Sequence, residues 1–261
     1  MNKPKSEYSI QTVLNALRLL EAFHDEPVLG VSELARRLDL HKNNVFRLLA
    51  TLEQRRYIEQ CAEKRYCLGP RCLELGRSFA RSRTLLGTAR PFLAGLAREL
   101  GESAHLGQLS QLDVVHLDGE QPRQLVTTAS RLGLRLPAHC TALGKALLGC
   151  APAERRAEYV RALAASGGPA ARTSATIVDS QKLVEHLGSV GVQGFAVDLD
   201  ECEEGLRCAA APVQDESGRL VAALSVSGPS FRLSEERLFR EVVPAVQAAA
   251  EELSRKLGFA G

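Results

Sequence analysis

The sequence predicts an α+β chain in which an N-terminal winged helix-turn-helix is joined by a linker helix to a larger domain of helices and antiparallel strands. Between Ser9 and Gln54, apolar residues recur at spacings of three and four. Two strand-like segments then flank the charged tip Ala62-Glu63-Lys64. Beyond residue 90, helical patterns are mixed with hairpin signals. The expected divisions are 1–72 for the first domain, 73–90 for the linker helix and 91–261 for the second domain, each domain long enough to bury a core.

In the first helix Ile10, Val13, Leu14, Leu17 and Leu20 form one stripe, with Ser9 placed to cap it and Asp25-Glu26-Pro27 to stop it. Ser32 is the expected cap of the second helix, which carries Glu33 in its first turn and buries Leu34, Ala35 and Leu38. After the turn Asp39-Leu40-His41, a third helix runs from Lys42 to Gln54 over an inner face of Val45, Leu48, Leu49 and Leu52. Tyr57–Gln60 and Arg65–Leu68 read as the strands of a wing. A helix from Leu73 to Leu86 carries Arg77, Arg81 and Arg83, is interrupted at Gly87 and Pro91, and resumes over Phe92–Leu100. Ala104–Leu109 and Asp113–Leu117 read as adjacent antiparallel strands. Helices are expected at Thr141–Leu148, Ala153–Leu163, Asp179–Val190 and Ser234–Leu257. Arg207–Pro212 and Leu220–Ser227 flank the turn Asp215-Glu216-Ser217-Gly218 as a hairpin.

Hydrophobic residues at 45% and charged residues at 25% give a globular composition without the roughly 18 consecutive apolar residues of a membrane span. The start MNKPKSEYSIQT lacks the apolar run of a secretory leader. Seven cysteines, an odd number outside a secreted framework, read as reduced thiols. A cytoplasmic protein with no membrane partner is therefore expected. Residues 1–83 hold 15 Lys and Arg against 10 Asp and Glu, a net +5, whereas 84–261 hold 18 against 21, a net −3. Such a division suits a chain whose first third meets a polyanion.

If the third helix buries Val45 and Leu49, its amino-terminal half turns Lys42, Asn43, Asn44 and Arg47 outward, where a recognition helix meets base edges. Asn pairs with adenine and Arg with guanine through two contacts each. Phe46 also faces outward, either toward thymine methyls and sugar or packed against the wing. Arg36, Arg37, Lys64 and Arg65 are placed to contact phosphates. The competing reading is a small helical domain with a solvated basic face.

Enzyme chemistry is not expected. Cys140 stands beside His139, but neighbouring side chains in an extended loop point apart and no third group is identifiable. Cys61, Cys67 and Cys72 lack zinc-finger spacing, and Cys67 reads as a small core residue. The acidic run Asp198, Asp200, Glu201, Glu203 and Glu204 reads as a solvated loop rather than a metal site, even with His105, His116 and His139 as distant ligands. Gly144-Lys145 is not a phosphate loop, because His139 stands where the leading glycine is required. No catalytic residue, metal or cofactor is assigned.

SIQTVLNALRLLEAF, VSELARRLDLHKNNVFRLLATLEQRRYIEQ, KRYCLGPRCLELG, LPAHCTALGKALL, GFAVDLDECEEGLRCAAAPV and ALSVSGP together resemble the IclR family of bacterial regulators over nearly the whole chain. The family's usual Ser-Thr pair at the recognition helix is Asn43-Asn44 here. Its usual glycine between helix and wing is Arg56. The resemblance implies a GAF-like antiparallel effector domain, dimers often paired into tetramers, and palindromic double-stranded DNA sites. It also implies an effector pocket at Ala142, Leu143, Asp198, Leu206, Cys208, Ser225 and Ser227. Thr141 is placed to cap the helix that follows, whose first amides suit an anion. Ser225 and Ser227 alternate with Leu224 and Val226, so both hydroxyls share one strand face, either lining a pocket or satisfied inside a core. The expected function is a DNA-binding regulator tuned by a small organic or aromatic acid. The alternative is a metabolite-binding protein or enzyme whose N-terminal module mediates protein contacts.

Overall fold

The computed structural model of the chain describes residues 9–81, 84–124 and 131–260. The chain divides into two compact units between Arg83 and Thr84. In the first, α1 (Gln11–Glu21), α2 (Val31–Leu38) and α3 (Lys42–Gln54) are followed by the antiparallel pair β1 (Ile58–Gln60) and β2 (Tyr66–Leu68), then by α4 (Pro70–Arg81). Leu19, Phe23, Leu34, Leu38, Val45, Leu49, Ile58 and Tyr66 share one core. Leu29 bridges to Tyr66 and extends the small sheet by one position.

Several local expectations change in this unit. Ile10, Val13, Leu14 and Leu17 of α1 are exposed, while Leu19 and Phe23 enter the core. Leu19 enters from the helix and Phe23 from the turn just beyond it, with Leu20 and Ala22 packed against the same core. Ile10, not Ser9, holds the α1 cap position, without a side-chain bond, and the helix ends at Glu21 before the Asp25-Glu26-Pro27 signal is reached. Gly30, not Ser32, precedes α2; its amide donates to Glu33 Oε2 at 2.7 Å, so the carboxylate reaches back to the cap. Arg56 takes the left-handed conformation that its glycine-free position makes costly, with φ of 60°. Cys67 is not a core residue. It is half-buried and disulfide-bonded to Cys61, so the seven cysteines are not all free thiols.

The second unit contains α5 (Thr84–Leu100), β3 (Ser103–Ser110), β4 (Asp113–Glu120), β5 (Arg135–Pro137), α6 (Ala142–Gly149), α7 (Ala153–Ala165), α8 (Ser180–Gln193), β6 (Ala196–Leu199), β7 (Leu206–Gln214) and β8 (Leu220–Pro229). It closes with α9 (Glu235–Arg237), a π turn at Leu238–Val242 and α10 (Val243–Lys256). Strand order is β5-β4-β3-β8-β7-β6, with antiparallel neighbours throughout. The period of two sorts the strands into two faces. Ala209, Ala211, Val213, Ala222, Leu224 and Val226 meet α5 and α10. Leu206, Cys208, Ala210 and Ala223 meet α6, α7 and α8.

Gly87 and Pro91 do not interrupt α5. A proline ring collides with the carbonyl four residues back, and that residue is Gly87, which adds no side chain of its own to the crowding. Burial of Leu86, Ala89, Leu93, Leu96, Ala97 and Leu100 outweighs the missing hydrogen bond. Arg83, expected on a continuous helix, lies outside the described residues. The expected helix Ser234–Leu257 is divided by the π turn. The short strands β5 and β6 complete the sheet edges beyond the four strands expected.

At α6, Thr141 Oγ1 accepts from the Gly144 amide at 3.2 Å. A Cβ added at Gly144 would come within 2.2–2.6 Å of the Ala138 backbone. Replacing Gly144 by Ala is expected to destabilise the second unit by about 1–3 kcal/mol in thermal or urea unfolding. Gly188 in α8 has open space, and Gly188→Ala should stabilise by about 0.5–1 kcal/mol. In the first unit, Arg56→Gly should relieve the left-handed residue and raise stability by about 1 kcal/mol.

Candidate nucleic-acid interface and ligand cavity

Burial of Val45 and Leu49 orients α3, and Lys42, Asn43, Asn44, Phe46 and Arg47 are all exposed on it. Their side chains make no hydrogen bond among the described residues. Phe46 is 56% exposed and is not packed on the wing. His41, unnoticed in the sequence, caps this helix by accepting from the Asn43 amide through Nδ1 at 3.3 Å. Arg36 and Lys64 are exposed. Arg37 is paired with Glu26 and reaches the Ala22 carbonyl at 3.4 Å. Arg65 Nη2 donates to the Val28 carbonyl at 2.7 Å and to Glu33 Oε2 at 3.1 Å. The arginines of the expected phosphate set are therefore not equivalent: Arg37 and Arg65 are tethered within the unit. The Gly30 amide, more than the Arg65 charge, holds the Glu33 carboxyl below its ordinary range.

In the second unit, strand register builds a polar cavity beneath α6. Asp198, Cys208 and Ser227 lie side by side across β6, β7 and β8, and Ala210, Ser225 and His105 form the next row across β7, β8 and β3. His105 and Ser227 are hydrogen-bonded at 3.0 Å, and the His105 and His116 rings meet edge to face with centroids 5.5 Å apart. The walls bring together Ala142, Leu143, Asp198, Cys208, Ser225 and Ser227 from the sequence-derived set. Leu206 is buried in the core beside α6 and does not reach the cavity wall. His105, His116, Arg131, Leu136 and Thr141 complete the lining. The sequence offers the two histidines only as distant metal ligands, because their approach depends on a β3–β4 register that the sequence does not state.

The cavity holds about 20 Å³, room for one or two waters. Burial lowers His105 to about 3 and His116 to about 4, with Arg131 opposing a second positive charge. Both imidazoles are neutral at pH 7, and His116 Nδ1 has no partner among the described residues. Arg131 pairs with Glu203 at 3.0 Å. Burial raises Asp198 to about 7, against the opposing pull of Lys145. Burial likewise pushes the Cys208 thiol up.

The acidic run does not form a solvated loop throughout. Asp198 and Glu201 are buried. Asp198 Oδ1 accepts from the Glu201 and Cys202 amides at 2.7 and 3.3 Å, and Glu201 is ion-paired with the fully buried Lys145. Thr176 Oγ1 donates to the Glu201 carbonyl at 2.7 Å and Arg172 Nε to the Cys202 carbonyl at 3.0 Å. Cys140 Sγ donates to the Pro137 carbonyl at 3.7 Å, and the neighbouring Cys202 and burial push the Cys140 thiol up. Among the described residues no cluster of three His, Cys, Asp or Glu could hold a metal ion.

Residues 78–255 match the bacterial transcriptional regulator IclR C-terminal family, and residues 12–61 match the IclR helix-turn-helix domain. The HTH-type transcriptional regulator KdgR of Escherichia coli (strain K12) is 34% identical over 256 residues, spanning 98% of this chain and 95% of KdgR. The transcriptional repressor IclR of the same organism is 32% identical over 246 residues, spanning 93% and 88%. A solved transcriptional regulator from Rhodococcus sp. RHA1 has a TM-score of 0.82 at 30% identity, spanning 95% of this chain and 98% of its own. With both of its units matched, this chain belongs to the IclR family of bacterial transcriptional regulators.

Proposed function

We propose that this regulator acts in the cytoplasm as a homodimer on a palindromic operator, and that a small organic or aromatic acid in the α6 cavity sets its affinity for DNA. Lys42, Asn43, Asn44, Phe46 and Arg47 read bases, while Arg36 and Lys64 hold phosphates. Arg37 and Arg65 contribute positive field from their tethered positions. The observation that carries this reading is the α3 tip, a run of exposed polar, cationic and aromatic side chains that make no hydrogen bond among the described residues. The exposed Ile10, Val13, Leu14 and Leu17 of α1 support self-association. A twofold dimer presents two α3 tips to half-sites about 34 Å apart.

Arg131 supplies the charge that anchors a carboxylate, which competes with Glu203 for it. Ser225, Ser227 and the neutral His105 and His116 orient the rest of the ligand, and Leu143 gives an apolar wall. Because the cavity of about 20 Å³ admits only water-sized groups, the acid selects an arrangement with β3, β8 and α6 further apart. α5 packs on the other face of β3 and β8 and is the first element of the second unit in the chain, so the wider arrangement alters operator affinity. No catalytic step is assigned to these residues. An enzyme or storage protein with a protein-binding N-terminal module would lack salt-dependent binding to a defined palindrome.

Selection of genomic fragments by the purified protein should return palindromic sites, and sedimentation should give a dimer or its pair. Arg47→Ala is expected to cost about 1–3 kcal/mol of specific binding and relax the sequence at one position, whereas Lys64→Ala weakens all sequences alike and lowers the salt slope by about 1. Titration with short-chain and aromatic acids should shift operator affinity, and a flat response across the panel would sink the sensor half. Arg131→Leu should weaken acid binding at least about tenfold. Asp198 is neutral below its raised value of about 7 and negative above it. Calorimetry should therefore show acid affinity falling as pH rises through 7, and Asp198→Asn should flatten that dependence.

A further inference from the structure

The wing contains a covalent feature that neither site uses. Cys61 follows β1 and Cys67 lies within β2, and their sulfurs are joined across the hairpin with Cα atoms 6.3 Å apart. Of the five residues between them, Ala62, Glu63, Lys64 and Arg65 form the wing tip, and Tyr66 begins β2. Glu63 and Lys64 are consecutive left-handed residues, with φ of 56° and 57°, and neither is glycine. Such a pair is unfavourable in a free chain and needs a closed frame to persist. That frame consists of the disulfide and the Cys61 amide donating to the Arg65 carbonyl at 2.8 Å. Both bonded cysteines are half-buried, whereas Cys140, Cys202 and Cys208 are buried in the second unit.

We propose that Cys61 and Cys67 are a thiol–disulfide pair, oxidised by a peroxide, that sets how firmly the wing holds DNA. The effect on DNA rests on the function proposed above. The thiolate of one cysteine attacks a peroxide oxygen, the O–O bond breaks, and a sulfenic acid forms as water leaves. The second thiol attacks the sulfenic sulfur, the S–S bond forms, the S–O bond breaks and a second water leaves. Two thiols are oxidised and one hydrogen peroxide is reduced to two waters. A low-molecular-weight thiol returns the pair to the reduced state by exchange. In the disulfide state the left-handed tip is fixed and presents Lys64. In the dithiol state the tip relaxes and this phosphate contact is lost for part of the population.

The test uses the full-length protein, reduced with dithiothreitol or oxidised with hydrogen peroxide, on the operator duplex recovered by selection. Trypsin cleaves after Lys64 and Arg65, so the disulfide appears as a linked peptide pair in mass spectrometry. The expected result is a linked pair that forms with peroxide and disappears with thiol. Operator binding by the oxidised form should be about tenfold tighter, or about 1.4 kcal/mol. Cys61→Ser and Cys67→Ser should bind like the reduced protein and ignore peroxide. Absence of the linked pair, equal affinity in the two states, or peroxide sensitivity persisting in both serine variants overturns the proposal. Loss of binding on Arg47→Ala in both redox states reports on α3 alone, so failure of the base-reading assignment is distinguishable from failure of the switch.

Discussion

Lys145 carries a charge into a fully buried position, and Glu201 is the group that makes it tolerable. Separating a buried pair leaves an uncompensated charge, which costs about 3–5 kcal/mol. The loop after β6 is consequently held to the first turns of α6. Asp198 fixes the same loop from inside through the Glu201 and Cys202 amides, and Thr173 and Thr176 fix it from outside through the carbonyls of Asp200 and Glu201. The cavity walls follow from that clamp. Asp198 cannot leave the wall without breaking two backbone contacts, and Leu143 cannot leave without moving the helix that carries Lys145.

The same clamp explains an unusual mixture in one small space. Neutral imidazoles and a carboxyl poised near neutrality lie together because desolvation acts on each in the direction of lost charge. Arg131 lies beside them, paired with Glu203. A carboxylate bound there, as proposed above, would compete with Glu203 for Arg131, and the serine and histidine rows would set selectivity by their shape and hydrogen bonding.

Much of the architecture was legible in the residues. α3 begins and ends where the period of Val45, Leu48, Leu49 and Leu52 places it, because a turn precedes it and its buried face is unambiguous. The hairpin around Asp215 to Gly218 was likewise marked, since Asp215 folds its carboxylate onto the Ser217 and Arg219 amides. What failed depended on distant partners. The α1 stripe reads as core until the packing of α2 and α3 shows which side is covered, and Pro91 reads as a break until burial along α5 is known. Six wall residues were assigned through the family resemblance. His105 and His116 were missed because strand register brings them there, and Arg131 because its place depends on the turn to Leu134 and on Glu203, 72 residues away. The acidic run read as solvated because Lys145, its buried partner, lies 56 residues before Glu201.

The two departures from the family pattern differ in kind. Asn43-Asn44 changes only exposed side chains, so it alters what α3 says to a base without altering how α3 is held. Arg56 keeps the left-handed backbone of the glycine it replaces, so the geometry of the helix-to-wing turn is preserved at an energetic cost. Glu33 adds a subtler consequence. Its Oε2 takes both the Gly30 amide and Arg65, tying the start of α2 to the residue before β2 through one half-exposed carboxylate. Mobile ions that screen phosphates also loosen this strut, on a length scale of about 10 Å at 0.1 M. Ionic strength thus reaches the wing twice, as a competitor outside and as a lubricant within.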